Sequence, residues 1–497
     1  MQKKLLAIIL TMAMLAVTTF GLTACQEKDV DNGSGQAETV PVDDNEENVP
    51  EDGEEDDEDQ DVFNNDDTQA AAVAAFNELQ GEVNGRTIIN IYSFTTETVD
   101  DLLPMFLKAN PNDFTDKFYI NVEMAADHAA HRLAINTKLG ENDGPDVFVA
   151  DVDYAMHFAE LSGTATIDEI GIEINEDDYY DYTLDLMRRK SDNAIMGLSH
   201  QATPGAMYYR ADIAKEVLGV ESEEEMQALV NDWDGFIDVA EKITTESDLA
   251  MIYGADELKR NFLNGRDMGW VDENDTFTID EDTITEFVRV TQAIKDLDGL
   301  RNTGNAQWSD GWVRGMGDNE DSAFAYFGST WYLHFVLAKN AQEGGSYGKW
   351  GMIPGPAPFY WGGTYWYASK ETVTNDEEKA QAVKDIIEFF CVNEESMEGL
   401  AKEIGDFVSN KKVVDKIKDS DEFNNKLFLW ETNHYQVFAE IAEDIDITRN
   451  ITKHDADMDD LFTDFITNVF TNEMSISEAM AIMKEGVKAD LSSITVM

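Results

Sequence analysis

Cysteine is nearly absent from this 497-residue sequence, which holds two, Cys25 and Cys391. Cys25 falls at the end of an N-terminal leader, and Cys391 sits in the apolar run Ile386-Ile-Glu-Phe-Phe-Cys-Val392. The mature chain therefore has no internal disulfide open to it, and Cys391 reads as a buried structural thiol. Stability must come from the core, and the length supplies enough material for two large domains. Basic residues are scarce too: 36 Lys and Arg against 101 Asp and Glu leave a net charge of −65. So negative a surface excludes nucleic acid and anionic lipid as partners of the folded part. It fits a secreted or cell-surface protein kept soluble by repulsion.

Two common catalytic signatures are also missing: there is no H-E-x-x-H or Walker sequence. Asp127-His128-x-x-His131 puts two imidazoles on one helical turn, a spacing that suits a metal. That helix is expected to lie away from the site, so neither metal nor cofactor is expected. Paired acids are too common in this chain to single out a glycosidase dyad.

Long apolar runs are limited to the leader. Lys3 and Lys4 precede the stretch Leu5 to Leu22, closed by Leu22-Thr-Ala-Cys25. This reads as a signal peptide over residues 1–24. A hydrophobic residue, two small ones and a cysteine resemble the lipobox of bacterial lipoproteins, which implies lipidation of Cys25. Lipid chains would hold the protein on the outer face of the membrane without crossing it. Residues 25–68, including Pro50-Glu-Asp-Gly-Glu-Glu-Asp-Asp-Glu-Asp-Gln-Asp61, form an acidic tether with almost nothing to bury.

What the chain does have is a concentration of aromatics. Trp350-Gly-Met-Ile353 reads as a short strand, and beyond a Pro/Gly turn residues 359–367 put six aromatics in nine positions around Gly362-Gly363. Core strands seldom set Tyr and Trp beside a double glycine; such glycines mark a bulge, a hinge or a close approach to a ligand. Flat rings with a polar tip suit an amphipathic ligand such as a sugar, though an aromatic core hairpin has the same composition.

Upstream, an Ala-rich helix at 68–79 leads to a strand at 86–92, a polar loop at Ser93–Glu97 and a helix at 98–109. A second strand follows at 118–124, a helix at 126–139 and a third strand at 146–150. This rhythm predicts a parallel sheet with helices on its faces and ligand at the carboxyl ends of the strands. It places Ser93 to Glu97 and Asp151 to Asp153 at one rim.

Leu139-Gly-Glu-Asn-Asp-Gly-Pro-Asp-Val-Phe-Val-Ala-Asp-Val-Asp153 resembles the extracellular solute-binding proteins of carbohydrate ABC transporters (family 1), among them the maltodextrin-binding proteins. Further resemblances follow in the family's order at 197–212, 231–242, 323–331, 349–356, 361–370 and 404–410, so that the likeness spans roughly 86–440. It implies a periplasmic-binding-protein-like α/β fold: two lobes joined by three crossing segments, with a ligand cleft between them. Lobe one would be 86–200 with 366–406, and lobe two 206–361 with 410–497. By place in the pattern, Asp153 resembles the acid that accepts sugar hydroxyls and Trp331 the tryptophan that stacks on a ring. Ser93, Phe94, Glu97, Asp151, Thr203, Trp308, Asp310, Trp361, Tyr365, Trp366 and Asp406 complete the expected ligand set. The loop at Ser93–Glu97 and the extra acid Asp151 depart from the maltodextrin pattern and imply a different ligand. The resemblance implies a monomer that carries out no chemistry and hands a carbohydrate, expected to be an oligosaccharide, to an ABC permease. Two alternatives stay open: a receptor of the same fold for a polyamine or peptide, with Glu97, Asp151, Asp153 and Trp361 as its box, and a surface glycoside hydrolase.

Overall fold

A computed structural model describes residues 66–496. The leader, Cys25 and nearly all of the acidic tether lie outside the described residues. The chain enters through the helix Asp66–Gln80, which starts just inside the stretch read as tether. Phe76 on this helix is wholly buried. The Gln80 amide donates to Ile120 O and accepts from Ile120 N, each at 2.9 Å. That pairing occupies backbone groups on an edge strand that would otherwise be open to another chain.

Eleven strands follow: β1 Thr87–Ser93, β2 Phe118–Met124, β3 Val147–Asp151, β4 Gly197–Ser199, β5 Pro204–Arg210, β6 Ala250–Gly254, β7 Leu300–Asn302, β8 Ala323–Gly328, β9 Trp350–Ile353, β10 Phe359–Tyr360 and β11 Thr364–Ala368. They form two sheets, ordered β2-β1-β3-β11-β4 and β10-β5-β8-β6-β7, with β9 also paired to β5. The predicted parallel unit is present: β1 pairs β2 from Thr87↔Phe118 to Ser93↔Met124 and pairs β3 at Ile91↔Val147, both in parallel. On β2 the buried residues alternate (Phe118, Ile120, Val122), as expected at an edge with one covered face. On β3 Val147 to Ala150 are all buried, the continuous apolar run of a central strand covered on both faces.

Short polar residues open the helices. Asp127 accepts from Ala130 N ahead of His128–Lys138, and Asp232 accepts from Gly235 N ahead of Trp233–Glu246. Each satisfies a backbone donor that the first helical turn leaves free. The helix expected from Thr98 opens instead with a wide i→i+5 turn over Thr98–Leu102 and becomes α-helical at Leu103–Ala109.

Two cores share the second sheet. Along β5, Ala206 and Tyr208 face a core continuous with that of the first sheet, and Met207 and Tyr209 face the other. The chain passes between the sheets at 199–204 and again at 360–364. A third segment, 406–410, runs beside the first: Ala202 N donates to Phe407 O at 2.8 Å and Ser409 N to His200 O at 2.9 Å.

Candidate functional site

The second crossing turns on its glycines. Gly362 and Gly363 have φ of +72° and +112°, conformations that side chains other than glycine avoid. A Cβ on Gly362 would also lie 2.6 Å from Trp331 Nε1. The turn thus lets Trp331 close on the crossing, where its indole N–H donates to Trp361 O at 3.0 Å. Trp308 stacks on Trp331 (5.7 Å between centroids, 11° between planes), and Trp361 meets Trp331 edge-on (5.0 Å, 73°). Trp308 itself holds a φ of +74°, costly for a bulky side chain. Trp308 and Trp331 pack against both hydrophobic cores, so the three indoles meet where the two cores adjoin. Thr203, on the first crossing, donates to Gly362 O at 2.8 Å and fixes the same turn.

Beside the indoles stands a pair of charges. Asp153 begins the helix Val152–Ala159 at the carboxyl end of β3, and Asp151 caps that helix by accepting from Asp153 N at 3.0 Å. Arg260, from the helix Lys259–Asn264, grips Asp153 with both terminal nitrogens at 3.0 and 3.2 Å. Its guanidinium lies 5.5 Å from the Trp361 ring. Asp459 sits 3.6 Å from Arg260 and accepts from Lys259 at 2.8 Å. Burial alone would weaken the proton's hold on Arg260, but Asp153 and Asp459 outweigh it and keep the guanidinium firmly charged. Burial, reinforced by the charge of Asp153, pushes Asp151 up to about 6. A second ion pair runs parallel to the first: Arg132, from the helix after β2, meets Asp457 of the helix Asp455–Phe470 at 2.7 Å.

The other sequence-predicted residues fall into four groups. Glu97 and Asp406 meet in a buried polar hub with Gln201, His200 and Thr364. Gln201 Nε2 donates to Glu97 Oε1 and Asp406 Oδ1, both at 2.9 Å, and Thr364 Oγ1 donates to Glu97 Oε2 at 3.3 Å. Phe94 rests on His128 and His131 at 5.1 and 6.1 Å. Ser93, Tyr365 and Trp366 are turned inward: Ser93 Oγ bonds Thr98 Oγ1 at 2.8 Å, while Tyr365 and Trp366 are buried in β11 between β3 and β4. Asp310 is exposed at the start of the short helix Asp310–Arg314. Its neighbour Trp312 is a core residue whose indole donates to Glu257.

The His128-x-x-His131 pair corrects the expectation that it would lie away from the rim. Its helix starts from the carboxyl end of β2, the same end that presents Phe94, so His128 stands by the rim and stacks on Tyr154 at 5.9 Å. His131 is buried with Nε2 2.7 Å from Val149 O, and burial lowers it to about 4. That bond commits one ring nitrogen of His131 to a strand carbonyl.

Glu97, His200 and Asp406 bring one donor atom each to within 4.8 Å of one another, a group with the chemistry of a metal site. The tautomer speaks against it. Trp366 Nε1, which can only donate, bonds His200 Nδ1 at 3.0 Å, so the ring's proton must sit on Nε2, the atom that would face the metal. The proton points instead toward Asp406 Oδ2 at 3.4 Å and Glu97 Oε1 at 3.8 Å.

Residues 104–427 match the family described as bacterial extracellular solute-binding protein. The chain belongs to that family. This solute-binding protein shares its fold with a crystal structure of an extracellular solute-binding protein of family 1 (19% identity, 81% of this chain and 99% of that one covered, TM-score 0.67). It is also similar to the sugar-binding protein MalE of Xanthomonas citri (15%, 82% and 98%, 0.63). A third similar structure is the ABC transporter-associated binding protein of B. animalis subsp. lactis in complex with beta-1,6-galactobiose (18%, 83% and 99%, 0.60). At these identities the likeness is one of fold. No curated protein matches the chain by sequence.

Arg260 and Asp459 are residues of this candidate site that sequence reasoning missed. The one available signal was Lys259-Arg260, two adjacent cations in so acidic a chain, shortly after β6.

Proposed function

We propose that the chain is a lipid-anchored receptor, held by Cys25 on the outer face of the membrane, that captures an oligosaccharide and passes it unaltered to an ABC permease. The observation that carries this reading is the meeting of Trp308, Trp331 and Trp361 beside the carboxylate of Asp153. An indole face covers the C–H side of a sugar ring, and a carboxylate accepts two hydroxyls at once. Asp153 lies at the end of a first-sheet strand and the tryptophans border the second sheet, so a sugar touching both favours the closed arrangement of two lobes. As two hydroxyls take Asp153, Arg260 releases it and keeps Asp459 as partner. The lobes divide near the crossings, 86–200 with 366–406 against 206–361 with 410–497.

One observation favours a second reading, a cationic solute: the site already seats a cation, the Arg260 guanidinium, on Asp153 and over Trp361. A thermal-shift panel of oligosaccharides, polyamines and short peptides separates the two, because a ligand that binds the folded state alone raises the melting midpoint. A shift confined to one sugar series supports the sugar receptor; a shift with polyamines alone overturns it.

A further inference from the structure

The hub of Glu97, Gln201, His200 and Asp406 lies apart from the indoles and has a job the solute does not explain. It ties together every strand of the hinge. Gln201 belongs to the first crossing, Thr364 ends the second and Asp406 starts the third, while Glu97 comes from the rim loop of the first sheet. The Gln201 side chain alone reaches Glu97, Asp406 and, through Oε1, Thr364 N at 3.2 Å. Side-chain exposures are 14% for Glu97, 0% for His200 and 4% for Asp406, so the charges here have little water to screen them.

Two carboxyls share this space, and His200 Nε2 faces both, at 3.8 Å from Glu97 and 3.4 Å from Asp406. Asp101 adds negative charge near Glu97, the buried and neutral His334 faces Asp406, and Tyr435 donates its hydroxyl to Asp406 O. With both carboxyls ionised and His200 neutral, the hub would bury two negative charges against a single imidazole N–H, leaving charge that desolvation strongly penalises. One added proton halves that charge whether it sits on a carboxyl or on the imidazole. The Trp366 N–H at Nδ1 disfavours the imidazole, and Gln201, which donates to both carboxyls, leaves a carboxylic proton room on the remaining oxygens. His200 Nε2 and Asp406 Oδ2 are each buried with no hydrogen bond, so the clasp is closed by charge and shared protons more than by fixed pairs.

We infer that these four residues form a hinge clasp that fixes the crossings to the Ser93–Glu97 loop only while it retains one shared proton. Glu97 is then a positioning residue whose protonation sets how firmly the rim loop is held. The directions agree: burial and Asp406 both raise Glu97, and the two carboxylates raise His200 to about 9 against the pull of burial, so the cluster as a whole holds its last proton above the free values. Groups raised in the folded state make the fold bind more protons than the unfolded chain. Their contribution is complete below the unfolded values and is lost as pH climbs from about 6.5 toward about 9. The remaining lowered histidines (His131, His157, His334, His434 and His454) act in the opposite sense and have finished by about pH 7.

Urea unfolding of the folded chain between pH 7 and pH 9, wild type against Glu97→Gln, tests this without knowledge of the solute. Glutamine keeps the shape of the protonated acid and removes one charge. The unfolding constant of the wild type should rise more steeply with pH than that of the variant, by up to ~10-fold per pH unit in the difference, the slope of one proton. Cys391, whose buried thiol titrates in the unfolded chain, contributes equally to both and cancels. Equal slopes overturn the clasp. So does a midpoint that zinc, manganese or calcium raises, or EDTA lowers, in the wild type alone, for the hub would then be a cation site. If Glu97→Gln does not fold, Asp406→Asn takes its place. The His200 Nε2–H resonance adds a direct readout: it should shift between pH 7 and 9 in the wild type and lose that titration in the variant, and an unshifted wild-type signal refutes the proposal.

Discussion

Replacing Trp331 by alanine separates the two roles open to the indole cluster. Trp331 is half-buried, flat against Trp308 and edge-on to Trp361, with its N–H on Trp361 O. Within the fold, the loss of one hydrogen bond and two ring contacts amounts to ~2–4 kcal/mol. For a bound sugar the loss differs: a pyranose face covering roughly 80 Å² of indole at ~25 cal/mol/Å² is worth about 2 kcal/mol. That corresponds to about 30-fold in Kd. Isothermal titration of Trp331→Ala with the solute identified by thermal shift should therefore show affinity down well over tenfold. Near-UV circular dichroism should retain the signature of the other tryptophans, and Trp331→Phe, which keeps a smaller face, should recover part of the loss. An unchanged Kd in a folded Trp331→Ala protein would refute the stacking role and return the cluster to the core.

Two further perturbations bear on the same site. Gly362→Ala should cost ~1–2 kcal/mol from the left-handed backbone alone and more from the Cβ that meets Trp331, lowering both the melting midpoint and the affinity. Thermal melts compared with Gly345→Ala, a left-handed glycine with open space around it, separate the clash from the backbone term. Asp153→Ala should weaken solute binding at least tenfold, because charge-assisted bonds to hydroxyls are worth ~1.5–3 kcal/mol each. It should also release Arg260, so that small-angle X-ray scattering of the solute-free protein shows a larger radius than the wild type.

The local patterns in the sequence were the legible ones. β2 reads directly from Phe118 to Met124 because an edge strand with one buried face must alternate, and β3 because a doubly covered strand must be apolar throughout. Gly362-Gly363 announced a special backbone, and the structure gives both positive φ. The site's electrostatics were not legible, because they join residues far apart in the chain: Arg260 reaches Asp153 across 107 positions, and Gln201 reaches Asp406 across 205. Periodicity carries no information at that range. Trp366 and Tyr365 looked like their neighbour Trp361, yet strand β11 inserts between β3 and β4 and buries them in the sheet. The pairing partner, not the residue type, decided which aromatics joined the first sheet. The loop after β1 likewise gave no sign that Glu97 would turn inward to the hinge, since its nearest companions come from three other segments.

The most direct measurement is calorimetric titration of the protein starting at Asp66, so that the packed entry helix is kept, with the solute recovered afterwards and weighed by mass spectrometry. The account predicts saturable binding of an oligosaccharide with a negative heat-capacity change, the mark of buried apolar surface, and recovery of the sugar unaltered. Heat from polyamines or peptides with none from any saccharide, or a sugar recovered in cleaved form, would contradict it.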